Sequence, residues 1–236
     1  MNRGIQLPVA CLTVMSSLFG VSPAFSGLIN GSFELPRYSA GSPNFNIVHA
    51  STIPGWSTTA SDNKMEIWSD GFLSVVSHDA DQHAELNANQ VAALFQDVTG
   101  VSSGSVLEFT FAHRGRNGLD TLQLSIIDLG SDNSFGGAND TVLFQKQYST
   151  SNAAWAVYTS IPESPIHAIG NTLRFEYDSV SNVGNTAQGN FLDAADFGVD
   201  IFTPVPVPEP SSLALFGTGV ICLIGTGWRR RRKRLH

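Results

Sequence analysis

Between residues 105 and 180 apolar side chains recur at every second position. Leu107, Phe109 and Phe111 alternate with Glu108, Thr110 and Ala112. Leu122, Leu124 and Ile126 alternate with Thr121, Gln123 and Ser125, and Leu173, Phe175 and Tyr177 with Arg174, Glu176 and Asp178. A period of two sends successive side chains to opposite faces, so each run predicts a strand with one buried face. Residues 142–144, 154–158 and 197–202 are weaker strand candidates. Turn-rich stretches at 99–104, 116–118, 130–140 and 181–189 separate these runs. No part of 27–203 carries the 3.6-residue period of an amphipathic helix. Short strands divided by frequent turns predict an all-β fold, a β-sandwich of jelly-roll type. About 177 residues between Gly27 and Thr203 suffice for one such domain with a sizeable core.

Both ends depart from this pattern. Residues 1–26 hold one charge, Arg3, ahead of an apolar stretch over 7–21. That stretch is short of the ~20 residues of a comfortable membrane span. Ala24-Phe25-Ser26 then places small residues before Gly27. The segment reads as a signal peptide cut by signal peptidase before Gly27; the alternative is an uncleaved N-terminal anchor. At the other end, residues 204–210 form a Pro-rich linker that cannot continue a helix or a strand ladder. Residues 211–228 are uncharged and long enough to cross a bilayer as a transmembrane helix. Residues 229–236 open with Arg-Arg-Arg-Arg-Lys-Arg, and such clusters stay cytoplasmic. The 27–203 domain is then expected outside the cytoplasm.

The order Val207-Pro208-Glu209-Pro210-Ser211, apolar helix, Arg cluster resembles the PEP-CTERM sorting signal, which would span 207–236. The resemblance implies recognition by an exosortase-type membrane protease that cuts near Pro208, Glu209 and Pro210. It implies a transient membrane stage and a Gram-negative bacterium that makes exopolysaccharide. A plain tail anchor is the alternative and gives the same topology.

Charge and cysteine content narrow the function of the middle. Residues 27–206 carry six Lys and Arg against nineteen Asp and Glu, a net charge of −13. Such a surface repels phosphates, which argues against a nucleic-acid partner. Both cysteines, Cys11 and Cys222, lie outside the middle, which removes disulfides, cysteine zinc sites and a cysteine nucleophile from it.

Several stretches, in order, carry a second resemblance. They are Asn30-Gly31-Ser32-Phe33-Glu34, Ile53-Pro54-Gly55-Trp56, Glu66-Ile67-Trp68, 82–87, 94–98, 111–116 and Gly189-Asn190-Phe191-Leu192-Asp193. Their order resembles galactose-binding-like extracellular domains, carbohydrate-binding modules among them. The resemblance covers roughly 28–200 and implies a jelly-roll fold more firmly than any ligand, because this superfold hosts many functions. It also implies a structural calcium held by Glu34 and a last-strand aspartate, with Asp193 the best match and Asp196 and Asp200 its competitors. Calcium takes six to eight oxygen ligands, which carboxylates and carbonyls of paired first and last strands can supply. In the alternative Glu34 caps a turn and the aspartates are solvated. Asp128-Leu129-Gly130-Ser131-Asp132-Asn133 fails the EF-hand spacing and reads as a solvated hairpin loop.

The densest polar cluster is His113-Arg114-Gly115-Arg116-Asn117-Gly118-Leu119-Asp120. A sheet rim is its expected place, where loops carry function. Arg114 and Arg116 offer planar donor forks for carboxylates or sugar hydroxyls, and Asp120 can pair with either. The competing reading is an internal salt-bridge network with Glu66 or Glu85. Trp56, Trp68 and Trp155 are stacking candidates, though Trp is an ordinary sandwich core residue. Trp68 beside Glu66 is the expected exposed one, with Glu85, Asn87 and Asn89 as hydrogen bonders. No Gly-x-Ser-x-Gly elbow, His-Glu-x-x-His helix or phosphate loop occurs. The sequence therefore points to a noncatalytic cell-surface or exopolysaccharide-matrix protein that binds extracellular polysaccharide. The alternatives are a structural matrix or adhesion protein and a matrix polysaccharide hydrolase.

Overall fold

The computed structural model describes residues 27–38 and 44–199. The expected signal peptide, linker, transmembrane helix and basic tail lie outside them, as does Asp200. Among the described residues no helix is long and apolar enough to cross a membrane.

The described strands, in chain order, are β1 (Phe45–His49), β2 (Ser57–Thr58), β3 (Lys64–Ser69), β4 (Gln82–Glu85), β5 (Ala93–Thr99), β6 (Val106–Arg114), β7 (Asp120–Asp128), β8 (Thr141–Thr150), β9 (Ala156–Thr159), β10 (Ile166–His167), β11 (Thr172–Ser181) and β12 (Phe191–Val199). A seven-stranded sheet runs β1-β3-β4-β12-β6-β10, with β9 also beside β6, and a five-stranded sheet runs β2-β5-β11-β7-β8. Pairing is antiparallel throughout these sheets. This is the expected all-β sandwich.

The alternating residues meet between the sheets. Leu107, Phe109 and Phe111 of β6 face Leu122, Leu124 and Ile126 of β7 and Leu173, Phe175 and Tyr177 of β11 in one core. Phe175 and Phe197 bring their ring centroids within 3.5 Å. The sheet-period reading succeeds here because the residues between the core positions are polar or small, and in much of each strand only partly buried.

It was blind to β3 and β4. Both are buried on both faces, Gln82, His83 and Glu85 included, so no alternation marks them. The cover on the outer face is the segment 70–80, which places Phe72 and Val75 over Trp68 and Phe191 in a second, smaller cluster. The expected strand at 197–202 begins earlier, at Phe191. A bulge between Asp193 and Asp196, with Ala194 at φ 46°, breaks its alternation.

The opening motif locks onto that bulge. Gln96 grips the backbone of Ile29 from both sides, accepting from its N–H at 3.0 Å and donating to its carbonyl at 2.8 Å. Trp56 is buried, stacks on Phe33 at 4.7 Å and donates to Asn30 O at 2.9 Å. Ala195 N–H donates to Gly31 O, and a Cβ on Gly31 would lie 1.8 Å from Ala195 O. Only a residue without a side chain allows this approach. Gly31→Ala is expected to cost about 2 kcal/mol or more, as backbone-level clashes do. Urea melts would check it, and an unchanged midpoint would remove this contact from the account.

Candidate functional site

The residues expected to bind ligand do come together, but as an interior network. Its hub is Gln188-Gly189-Asn190, the turn that enters β12. Gly189 N–H donates to Glu85 Oε1 at 2.6 Å, and Gln188 O accepts from Asn87 Nδ2 at 3.1 Å. Asn190 N–H donates to Asp120 Oδ2 at 3.3 Å. Asp120 also accepts from Arg116 N–H at 2.8 Å and from Val183 N–H at 2.6 Å, so its carboxylate ties two loops together rather than pairing with a guanidinium. Asn190 is in the left-handed region at φ 49°, which its short side chain tolerates. That side chain donates to Ser179 Oγ and Ser181 O, leaving its Oδ1 facing His113 Nε2 at 2.9 Å. The arrangement assigns the proton to His113 Nε2, with Nδ1 accepting from Thr150 Oγ1 at 2.9 Å. The Thr150 hydroxyl in turn lies 2.9 Å from the Tyr158 hydroxyl.

Arg116 meets both oxygens of Glu85 at 2.8 and 2.9 Å and lies over the Trp68 ring, 4.8 Å from its centroid. The internal salt-bridge reading of this cluster is the one realised. Trp68 is 1% exposed, against the expectation of an exposed ring, because the 70–80 segment covers the face it occupies. Its indole donates to Glu66 Oε1 at 2.6 Å. Glu66, Glu85, Asn87, His113 and Asp120 are buried as well. Arg114 is half-buried and holds Asn152 O with Nε and Nη2. Among the three candidate tryptophans, Trp155 is the half-exposed one, and it donates to Val76 O at 2.7 Å.

Glu66 and Glu85 stand directly opposite on β3 and β4. Burial pushes both carboxyls up, and the facing Glu66 adds to the effect on Glu85, with Arg116 and the Gly189 N–H acting against it. Two like charges in one buried place cannot both ionise at low cost, so the pair keeps a proton well above the ordinary carboxylate range. Burial lowers His113 to about 4 and His83 to about 3, so both are neutral. His83 shares the outer face with Glu85, while His113 points to the inner one, so the three do not converge on a metal.

Glu34 and Asp193 lie against one segment. Glu34 Oε1 accepts from the N–H groups of Asp81 and Gln82 at 2.9 and 2.7 Å. Asp193 Oδ2 accepts from His78 and Asp79, and its Oδ1 from Ala194. Burial raises Asp193 to about 7 against these bonds. Both carboxyls thus face amide donors, whose partial positive charge does what a cation would do. Among the described residues no three His, Cys, Asp or Glu gather to hold a metal.

Two open cavities occur, one of them bordering this network at Tyr158. A groove of about 330 Å³ follows the open side of the sandwich between β8 and β9, where sequence reading placed no site. Tyr148 and Tyr158 meet there at 4.6 Å, Lys146 bonds Glu163, and Gln147, Ser149 and Thr159 border it. The signal was the Gln-Lys-Gln-Tyr-Ser-Thr run of β8, whose core-facing and rim-facing residues only the sheet edge separates. A second cavity of about 520 Å³ sits beyond the end of β7, beside Asp128 and Asn171.

Residues 206–232 match the PEP-CTERM protein-sorting motif, in agreement with the expected signal. No curated protein matches the chain. Among solved structures, the chain is similar to a CBM4 module at 12% identity and TM-score 0.39, over 73% of this chain and 99% of that one. It is similar to the CBM22-2 xylan-binding domain of Paenibacillus barcinonensis Xyn10C at 10% identity and TM-score 0.45, over 66% and 98%. A third is TmCBM61, solved with beta-1,4-galactotriose, at 12% identity and TM-score 0.39, over 62% and 90%. At these scores the sandwich is assigned from its own strand order.

The buried groups set a pH profile. The raised carboxyls Glu85 and Asp193 contribute stability that is full below about pH 4 and is lost as pH rises towards 7–8, and the raised Glu66 acts in the same direction. The lowered histidines contribute stability that is full above about 6.5 and is lost as pH falls. Stability is expected to plateau between about pH 4.5 and 6.5 and to fall on both sides. Glu66→Gln keeps the acceptor for Trp68 and should raise the melting temperature at pH 8.5 by several degrees while flattening the alkaline decline. Melts from pH 4 to 9 check this; an unchanged alkaline slope would show that the pair carries no proton.

Proposed function

We propose that the sandwich is a noncatalytic glycan-binding domain, exported and passed to an exosortase-type protease, that acts at the cell surface or in an exopolysaccharide matrix. The sorting motif at 206–232 supports the export and membrane-transit part of this reading. The groove between β8 and β9 carries the binding part. It sets the half-exposed Tyr158 ring, backed by the buried Tyr148, beside a cation, a carboxylate, an amide and hydroxyls, the mixture that a pyranose ring needs for stacking and hydrogen bonding. One carboxylate, Glu163, borders it and is tied to Lys146, whereas glycoside hydrolysis ordinarily uses two carboxylates flanking the bond. Glu66 and Glu85 are too deeply buried to flank a substrate. The burial of the Arg116–Glu85 network favours a second reading, a structural matrix protein whose polar residues serve the fold alone.

Purified residues 27–203, titrated with plant, algal and bacterial polysaccharides in calcium and in chelator, test the proposal. Saturable binding is expected, weakened about tenfold or more by Tyr158→Ala with a cooperative melt retained. Binding untouched by that substitution would move the ligand off the groove. A folded domain that binds none of the polymers would favour the structural reading.

A further inference from the structure

The cavity beyond β7 is built differently from the groove and shares no residue with it. Its wall is the 129–140 loop, pinned at several points. Gly130 N–H donates to Asp128 Oδ1 at 2.8 Å, and Gly130, at φ +63°, lies against Asn139 so closely that a Cβ would come within 2.6 Å of it. Asn133 Oδ1 accepts from the Thr172 hydroxyl. Phe135 folds back over the Arg174 guanidinium at 4.2 Å, with Phe95 on its other side at 3.7 Å. The opposite wall, Asn171, is held by Gly100 N–H and Val101 O. The loop is the expected solvent-exposed hairpin connection between β7 and β8, here held at several points.

One group in it is unaccounted for. Asp128 is 3% exposed, yet its Oδ2 is buried without a hydrogen-bond partner. The carboxylate faces Gly170, where a Cβ would stand 2.4 Å from Oδ2 and 2.7 Å from Oδ1. No Lys, Arg or His borders the cavity. Asp132 and Asp140 lie in the same loop with no basic residue among 128–140, and Asp140 Oδ1 is a second buried oxygen without a partner. A buried carboxylate oxygen without donors is costly, and fixed positive charge is what compensates it. The other groups bordering the space, Ser131, Asn133, Asn139, Thr141 and Asn171, bring hydroxyl and amide oxygens, with neither sulfur nor imidazole.

We propose that this cavity is a site for a hard divalent cation, calcium by its chemistry, with Asp128 as the charged ligand. Calcium accepts neutral oxygens in irregular geometry, whereas magnesium demands a tight octahedron and zinc prefers nitrogen and sulfur. A single carboxylate among neutral oxygens gives a weak site, in the range of about 10⁻⁴–10⁻³ M typical of extracellular modules. The ion would pin the β7–β8 connection to the segment before β11. It is independent of glycan binding in the groove.

Calorimetric titration of the full chain, in detergent and stripped with chelator, tests the site with calcium chloride and magnesium chloride. One calcium per chain is expected, with magnesium at least tenfold weaker. Asp128→Asn should lose the calcium heat while melting in chelator at or above the wild-type temperature, because its orphan charge is gone. Thr141→Val, a milder change at the rim, should weaken calcium severalfold and covers the case in which Asp128→Asn does not fold. Absence of calcium heat, heat unaltered in both variants, or equal response to magnesium would overturn the proposal. So would saturable binding of a neutral sugar to the chelated chain that Asp128→Asn abolishes.

Discussion

A backbone turn buried away from water must find a partner for each N–H and carbonyl, and the turn 188–190 finds several of them in side chains. It leads into β12, whose ladder begins at Phe191; Asn190 O accepts from Leu86 N–H and Gln188 N–H donates to Asn185 O, while Gln188 O and the N–H groups of Gly189 and Asn190 lie outside that ladder. Glu85, Asn87 and Asp120 therefore supply the acceptors and donors that a ladder would give. Gly189, at φ +127°, leaves no room for a side chain, since a Cβ would come within 2.2 Å of Asn182. Each of these carboxylates needs its own compensation in turn. Arg116 compensates Glu85, the indole of Trp68 compensates the facing Glu66, and the pair retains a proton between them. The polar cluster is thus the condition for seating the last strand, and its burial follows from that task.

The same requirement explains what was legible in the sequence. Strands β6, β7 and β11 place their large apolar side chains on one face, and alternation gave them away. Strands β3 and β4 bury two, so their polar residues looked like a loop with chemistry in it. The familiar stretches around Glu85, Arg116 and Gly189 do belong together, since they bond one another across more than a hundred residues. Their types, Arg, Glu, Asp, Asn and Trp, are those of a sugar site and equally those of a satisfied polar interior. Burial separates the two, and burial here depends on the 70–80 segment, which has no strand or helix periodicity to announce it.

Asp193 and Glu34 act on that segment. They clasp N–H groups at 78, 79, 81 and 82, and Ser77 Oγ meets His83 Nδ1 at 2.9 Å beneath it. Glu34, ahead of β1, and Asp193, in β12, thus both clasp a cover strip. Amide donors and calcium are alternative answers to one electrostatic problem, and the local backbone decides which is used. At Asp193 the chain turns its N–H groups inward. At Asp128 only Gly130 does so, which leaves the second oxygen bare.

The placement of the groove follows from the edges. Strand β8 ends the smaller sheet, and β9 pairs with β6 alone, so the two face across the open side of the sandwich. Edge strands in such a position present unpaired backbone and invite aggregation unless guarded. Here Lys146 and Glu163 guard the rim and the two tyrosines fill the floor. The Tyr158 hydroxyl also reaches Thr150, which bonds His113, which bonds Asn190. A continuous hydrogen-bonded chain therefore joins the groove to the turn that seats β12. The groove is thereby fixed to β12 by its hydrogen bonds, so a change at Tyr158 is felt at the strand that seats last.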